Sequence, residues 1–224
     1  MKKLVLVILF INATLFAQEP ITTNLGDFNE VKIYNGLTVV LKKSDVSKIV
    51  VSGSQAQDVS IKNADGVLKI RLKFPESFIA ENAEVVLYYS KNIGTLDANE
   101  GAQFVSKEEL NQQHLEVRTQ EGAKINLEVA IKHLVVKSVS GGIITLTGTA
   151  DNQNVEVNTG GIYNGFDLVS KQATVNSAAG STADVRATDI LDAKAQFGGA
   201  IYYKGRPEVL NTKTVLKGTI KLAN

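Results

Sequence analysis

The sequence predicts an all-β protein whose larger part is a parallel β-helix (solenoid) of about six coils, preceded by an N-terminal section of β-strands. Three observations carry this. Apolar and polar residues alternate with period two almost throughout, no window holds a convincing helical period, and from residue 93 a glycine-led unit recurs about every 20 residues.

The first residues, MKKLVLVILFINATLFAQ, place Lys2 and Lys3 before an apolar run from Leu4 to Ile11, with Ala17 closing the stretch. That is the order of a secretory signal peptide. A bilayer-spanning helix needs about 20 apolar residues, and Asn12 interrupts this run well before that. Residues 1–17 are therefore expected to be a cleaved leader and 18–27 a short N-terminal segment. Residues 28–222 are expected to form one domain, with strands over 28–92 and coils over 93–222.

Composition narrows the function classes. The chain has 0 cysteines, which removes disulfides, thiolate metal sites, a cysteine nucleophile and a lipid-bearing cysteine together. An exported chain of this kind is held by its core alone. Formal charge is +1 and falls to −1 without Lys2 and Lys3, so no overall footprint for nucleic acid or an anionic membrane exists.

In the strand section, Val31 and Ile33, then Leu37, Val39 and Leu41, then Val59 and Ile61, then VLKIRLK at 67–73 and VVLYY at 85–89 alternate as strands do. Asn35-Gly36 and Asp65-Gly66 fall between such runs, a hairpin signal. SKEELNQQH at 106–114 reads as one helical turn or a polar loop.

The coils align as EGAQFVS, EGAKINL, SGGIITL, TGGIYNG, AGSTADV and FGGAIYY, led by Gly101, Gly122, Gly141, Gly160, Gly180 and Gly198. Five residues before each glycine stand Leu96, Val117, Val136, Val155, Val175 and Ala193; three after it stand Phe104, Ile125, Ile144, Tyr163, Ala183 and Ile201. Both columns are expected inside. Asp97, Arg118, Lys137, Glu156, Asn176 and Lys194 form a column expected to face water. Directly after the glycine come only Ala102, Ala123, Gly142, Gly161, Ser181 and Gly199, which marks a tight corner between coils stacked ~4.8 Å apart. The N-terminal section is expected to cap one end of the stack.

The order FNEVKIYNGLTVVLKKSD, VVSGSQAQDVSIKNADGVLKIRLK, glycine-pair coils and GGAIYYKGRPEVLNTKTVLKGTIK resembles the secreted bacterial family described as putative auto-transporter adhesin, head GIN domain, over residues 28–222. The resemblance implies a right-handed β-helix and a Bacteroidetes-type source. It supplies no catalytic residues. The family's corner commonly carries an acid that Gly141-Gly142-Ile143 and Gly160-Gly161-Ile162 lack.

Candidate chemistry is sparse. His114 and His133 are expected on neighbouring coils about 4.8 Å apart, with Gln153 and Gln172 following, a poor set for zinc. Glu100 and Glu121 share a column that continues as Ser140 and Thr159, and read as exposed carboxylates. Asp97, Arg118, Lys137 and Glu156 alternate in sign as ladder pairs do. Thr145, Thr147 and Thr149 have no threonine counterparts on adjacent coils, which argues against an ice-binding array. Tyr202, beside Ile201 and Tyr203, is the candidate for an exposed aromatic near the C-terminal end. No residue is assigned a catalytic, metal or cofactor role. The reading is a non-enzymatic envelope or surface protein, an adhesin or binding module whose partner is a surface glycan or envelope protein. A carbohydrate-active enzyme with a flank groove, or a structural envelope protein, is the alternative. The location is periplasm, cell surface or outside the cell.

Overall fold

The computed structural model describes residues 19–73 and 82–223. The expected leader lies outside the described residues. In chain order the strands are β1 (Ile21–Asn24), β2 (Glu30–Ile33), β3 (Thr38–Lys43), β4 (Lys48–Ser52), β5 (Val59–Ala64), β6 (Val67–Leu72), β7 (Glu84–Tyr89), β8 (Thr95–Ala98) and β9 (Gln103–Ser106). They continue as β10 (Leu110–Thr119), β11 (Lys124–Ser138), β12 (Ile143–Val157), β13 (Ile162–Ala178), β14 (Thr182–Gln196), β15 (Ala200–Lys204), β16 (Val209–Val215) and β17 (Thr219–Leu222). A short 3₁₀ turn at Ala56–Asp58 is the only helical element among the described residues.

Parallel pairing stacks equivalent positions as the glycine period requires. Leu96, Val117, Val136, Val155, Val175 and Ala193 form one continuous ladder, and Phe104, Ile125, Ile144, Tyr163, Ala183 and Ile201 form another. All twelve are buried. Burying a valine or isoleucine stabilises by about 1.5–3 kcal/mol, so these two columns are the main cohesive element of the fold.

Each corner is a two-residue turn with both residues left-handed. Among the described residues these are Asn35-Gly36, Glu100-Gly101, Glu121-Gly122, Ser140-Gly141, Thr159-Gly160, Ala179-Gly180, Phe197-Gly198 and Leu216-Lys217. The stack has about seven turns rather than six, and the corners at Asn35 and Leu216 belong to it beside the six led by glycine. The N–H groups of Gly36, Gly101, Gly122, Gly141, Gly160 and Gly198 donate to the carbonyl of the corner residue one coil on, at 2.8–3.3 Å.

The two small corner residues do different work. A side chain on Gly160 would meet nothing within 4 Å, yet its φ is +73°, so this glycine is needed for its backbone. On Gly161 a Cβ would lie 2.1 Å from the Ser138 carbonyl oxygen, so that glycine is needed for space. Small hydroxyls fill the same inner corner elsewhere. Thr119 Oγ1 donates to Ser138 Oγ at 3.0 Å, and Ser138 Oγ donates to the Gly142 carbonyl at 2.7 Å.

The strand section is more deeply woven into the stack than its sequence position suggests. β2 lies between β6 and β8, and β3 between β7 and β9, all parallel. The coil containing residues 30–43 is thus inserted between two coils that follow it in sequence. Asn35-Gly36 is accordingly a coil corner and not the hairpin its dipeptide suggests, since its flanking strands pair elsewhere. Asp65-Gly66 does close a hairpin, with Ala64 opposite Val67.

Antiparallel strands close the N-terminal end: β5 borders β6 on one face, and β4 then β1 border β7 on the other. The segment carrying the 3₁₀ turn connects the two faces, with Ala56 and Val59 buried. SKEELNQQH forms neither a helical turn nor only a loop. Leu110 already opens β10, opposite Val129 of β11.

Candidate functional site

Alternation of inward and outward residues breaks at the same stacked place in successive coils. In β11, Ile125, Leu127, Val129 and Ile131 point in, then Lys132 and His133 both point out, and Leu134 and Val136 resume the inward set. The same break puts Gln113-His114, Asp151-Asn152 and Lys171-Gln172 outward on the neighbouring coils. The chain bends here without a glycine corner, and the outward pairs stack into a polar ridge along the solenoid.

The ridge is ordered by its own contacts. The rings of His114 and His133 stack with centroids 4.9 Å apart and planes 17° apart, close to the spacing expected from the sequence. Asn152 follows them, its side-chain nitrogen 3.4 Å from His133 Nδ1, and Gln172 follows Asn152. Gln153 is not on this ridge. It is buried, accepts from Tyr163 Oη at 3.0 Å and donates to Ser170 Oγ at 2.7 Å. Burial pushes the Tyr163 phenol well above its ordinary pKa, so it is a neutral hydrogen-bond donor inside the stack.

On one side of the ridge runs an open groove of about 530 Å³, whose lining includes Asn111, Gln112, Lys132, Thr149, Asp151 and Lys171. A smaller depression of about 260 Å³ lies on the other, lined by His133, Asn152, Asn154, Gln172 and Thr174. Lys171 Nζ is 2.7 Å from Asp151 Oδ1; the ammonium holds that carboxyl below its ordinary pKa, and the carboxylate raises Lys171 in turn. The arrangement offers amides, hydroxyls, one ion pair and flat imidazole surface, all suited to hydrogen-bonding and stacking on polar ligands.

The remaining candidates lie apart from it. Glu100 and Glu121 are exposed left-handed corner residues, and Glu100 accepts from Asn35 Nδ2 at 2.8 Å. The charged column forms an ion-pair array and is not uniformly solvated. Lys32 Nζ sits 3.0 Å from Glu30 and 3.3 Å from Asp97; Arg118 makes two 2.8 Å hydrogen bonds to Glu116, and Lys137 lies 3.0 Å from the same carboxyl. Asp97 is buried beneath this array because its neighbours on both coils cover it. Hydrogen bonding from Arg118, then from Lys137, lowers the Glu116 pKa against the opposing effect of its partial burial. Glu156 continues the column in register but remains exposed.

Thr145 stands opposite Asn126 and Asn164, and a bulge then places Thr149 opposite Val169. Tyr202 and Tyr203 are half-buried, with Tyr203 packed on the core. Among the described residues no three His, Cys, Asp or Glu side chains gather as a metal site. No described helix is long and apolar enough to cross a membrane. The bend ridge itself escaped the sequence reading, although its signal is present: runs of two to four polar residues interrupt the alternation at 132–133, 151–154 and 170–172.

Solved structures share this architecture. A putative adhesin from Bacteroides fragilis superposes with a TM-score of 0.80 at 16% identity, over 92% of this chain and 98% of that one. A putative lipid binding protein from Parabacteroides distasonis gives 0.71 at 20% identity, over 92% and 98%. A putative adhesin from Parabacteroides merdae gives 0.69 at 21%, over 92% and 96%. At these identities the likeness establishes the fold. No curated protein matches the chain. With the coil stack, its corners and the match of residues 27–207 taken together, the chain belongs to the family described as putative auto-transporter adhesin, head GIN domain.

Proposed function

We propose that the protein is an exported envelope or surface module that binds a surface glycan along the bend ridge without turning it over. The observation that carries this is the stacked row of Gln113, His114, Lys132, His133, Asp151, Asn152, Lys171 and Gln172 with a groove of about 530 Å³ beside it. Polar side chains able to hydrogen-bond recur along the ridge at the coil spacing, a pattern matched to a ligand that itself repeats hydroxyl and amide groups. Glycoside hydrolysis uses two carboxyl groups flanking the bond. The groove lining offers one, Asp151, already held by Lys171. The signal-like order of the first 17 residues and membership of an adhesin-type family support placement outside the cytoplasm.

A glycan array probed with the purified protein, and with H133A and N152A variants, tests this. Retention of a defined glycan class, at least about tenfold weaker in the variants, is the expected result. Release of shortened sugars, retention untouched by both substitutions, or no retention at all would overturn it.

A further inference from the structure

We propose that the open C-terminal end of the stack, built from β16 and β17, is a docking edge that takes up an extended acidic polypeptide segment as an added strand. Among the described residues, β16 pairs only with β14 and β17 only with β15. Their outer edges therefore present unused backbone donors and acceptors, the template on which strand addition operates. The other end of the same stack carries three antiparallel strands in the equivalent place.

Side chains at this end fit such an occupant. Leu210, Thr212 and Thr214 extend the interior columns of Leu191, Ala193 and Ala195, yet stand exposed because no further coil among the described residues covers them. Val209, Leu210, Leu216 and Leu222 are 44–67% exposed, and they make up most of the large exposed apolar residues of the described chain. An incoming strand with apolar residues at alternate positions would cover this layer, as the next coil does everywhere else.

Charge selects the partner. From residue 204 on, Lys204, Arg206, Lys213, Lys217 and Lys221 face a single acid, Glu208, in a chain whose whole formal charge is +1. Lys213 and Lys221 are exposed on the two edge strands. A second copy docked end to end would bring these cations against themselves, whereas an acidic strand would neutralise them. Lipid headgroups could meet the charge but supply no row of alternating donors and acceptors for a seven-residue edge.

The probe is a fluorescent ten-residue peptide alternating valine with glutamate, titrated into the purified protein by anisotropy. Its controls are a valine–lysine peptide and the acidic peptide N-methylated along one edge. Saturable binding of the acidic peptide is expected, at least about tenfold weaker for N-methylation and for the K213E/K221E variant, and no saturation for the lysine peptide. K213E/K221E changes only exposed residues, and an unchanged melting temperature certifies its fold. Equal binding of the N-methylated peptide, indifference to charge reversal, or absence of saturation would overturn the proposal. So would a dimer in sedimentation that K213P returns to monomer, which assigns the end to a second copy, or binding to phosphatidylglycerol vesicles without binding to the peptide.

Discussion

The N-terminal end of the stack finishes with β5 on one face and β4, then β1, on the other, each antiparallel to the strand it borders. Among the described residues the C-terminal end finishes with β16 and β17, parallel to their neighbours and with no further strand paired to their outer edges. Leu87, in the coil beneath the N-terminal cap, is fully buried, while Leu210 in the last coil is 44% exposed. Solenoids gain stability from nearest-neighbour interfaces, so a terminal coil holds only half of what an interior coil holds unless something caps it. The difference teaches that the hydrophobic content of a coil does not decide its contribution; the presence of a neighbour on each side does.

The sharpest break of this comparison is one substitution made at both ends. Leu87→Ala should cost about 2–5 kcal/mol, and Leu210→Ala under about 1 kcal/mol, because only the first leaves a cavity. Chemical denaturation of the two variants reads the difference directly, and equal losses would mean that the C-terminal end is covered.

Corners give the next largest effects. Gly161→Ala drives a Cβ into the Ser138 carbonyl and should cost about 1–3 kcal/mol. Gly160→Ala meets no atom and should cost only about 1 kcal/mol, from its left-handed backbone. At the open end the corner residue Lys217 adopts φ +64° where the interior coils place glycine. Lys217→Gly should therefore stabilise, by up to about 1 kcal/mol. Melting temperatures rank all three variants.

The smallest effect concerns the ion-pair array, which belongs to the N-terminal half. The Glu116 pKa is lowered in the folded protein, so its stabilising contribution is complete above its ordinary value of 4.5 and is lost as pH falls through the folded value. Glu116→Gln should lower stability near neutral pH by under about 1 kcal/mol. It should also flatten the acid side of the melting-temperature profile. A variant whose profile keeps the wild-type slope below pH 4.5 would show that other carboxyls carry the acid dependence.

Much of this architecture is written in the chain because a solenoid repeats its burial pattern. Val117, Val136, Val155 and Val175 announce one ladder by spacing alone, and the glycine column announces the corners. Asn35-Gly36 misled because a dipeptide specifies the local turn and not the partners of the strands that leave it. The insertion of residues 30–43 between later coils is a non-local pairing choice that no short segment encodes. Asp97 looked exposed because its column is charged; only the array with Lys32 and its neighbours explains its burial. The bend ridge went unread because its marker is a short polar run of variable length, a weaker signal than a glycine pair. The same stacked ridge could be found in advance by testing for a change of parity that recurs at one place in successive coils.

Hydrogen exchange followed by mass spectrometry, comparing β4 and β7 at the capped end with β16 and β17 at the open end, tests the central claim most directly. The account predicts exchange through near-global opening for β4 and β7 and fast exchange through local fraying for β16 and β17. Slow exchange throughout β16 and β17, matching the capped end, would contradict a stack closed at one end and open at the other.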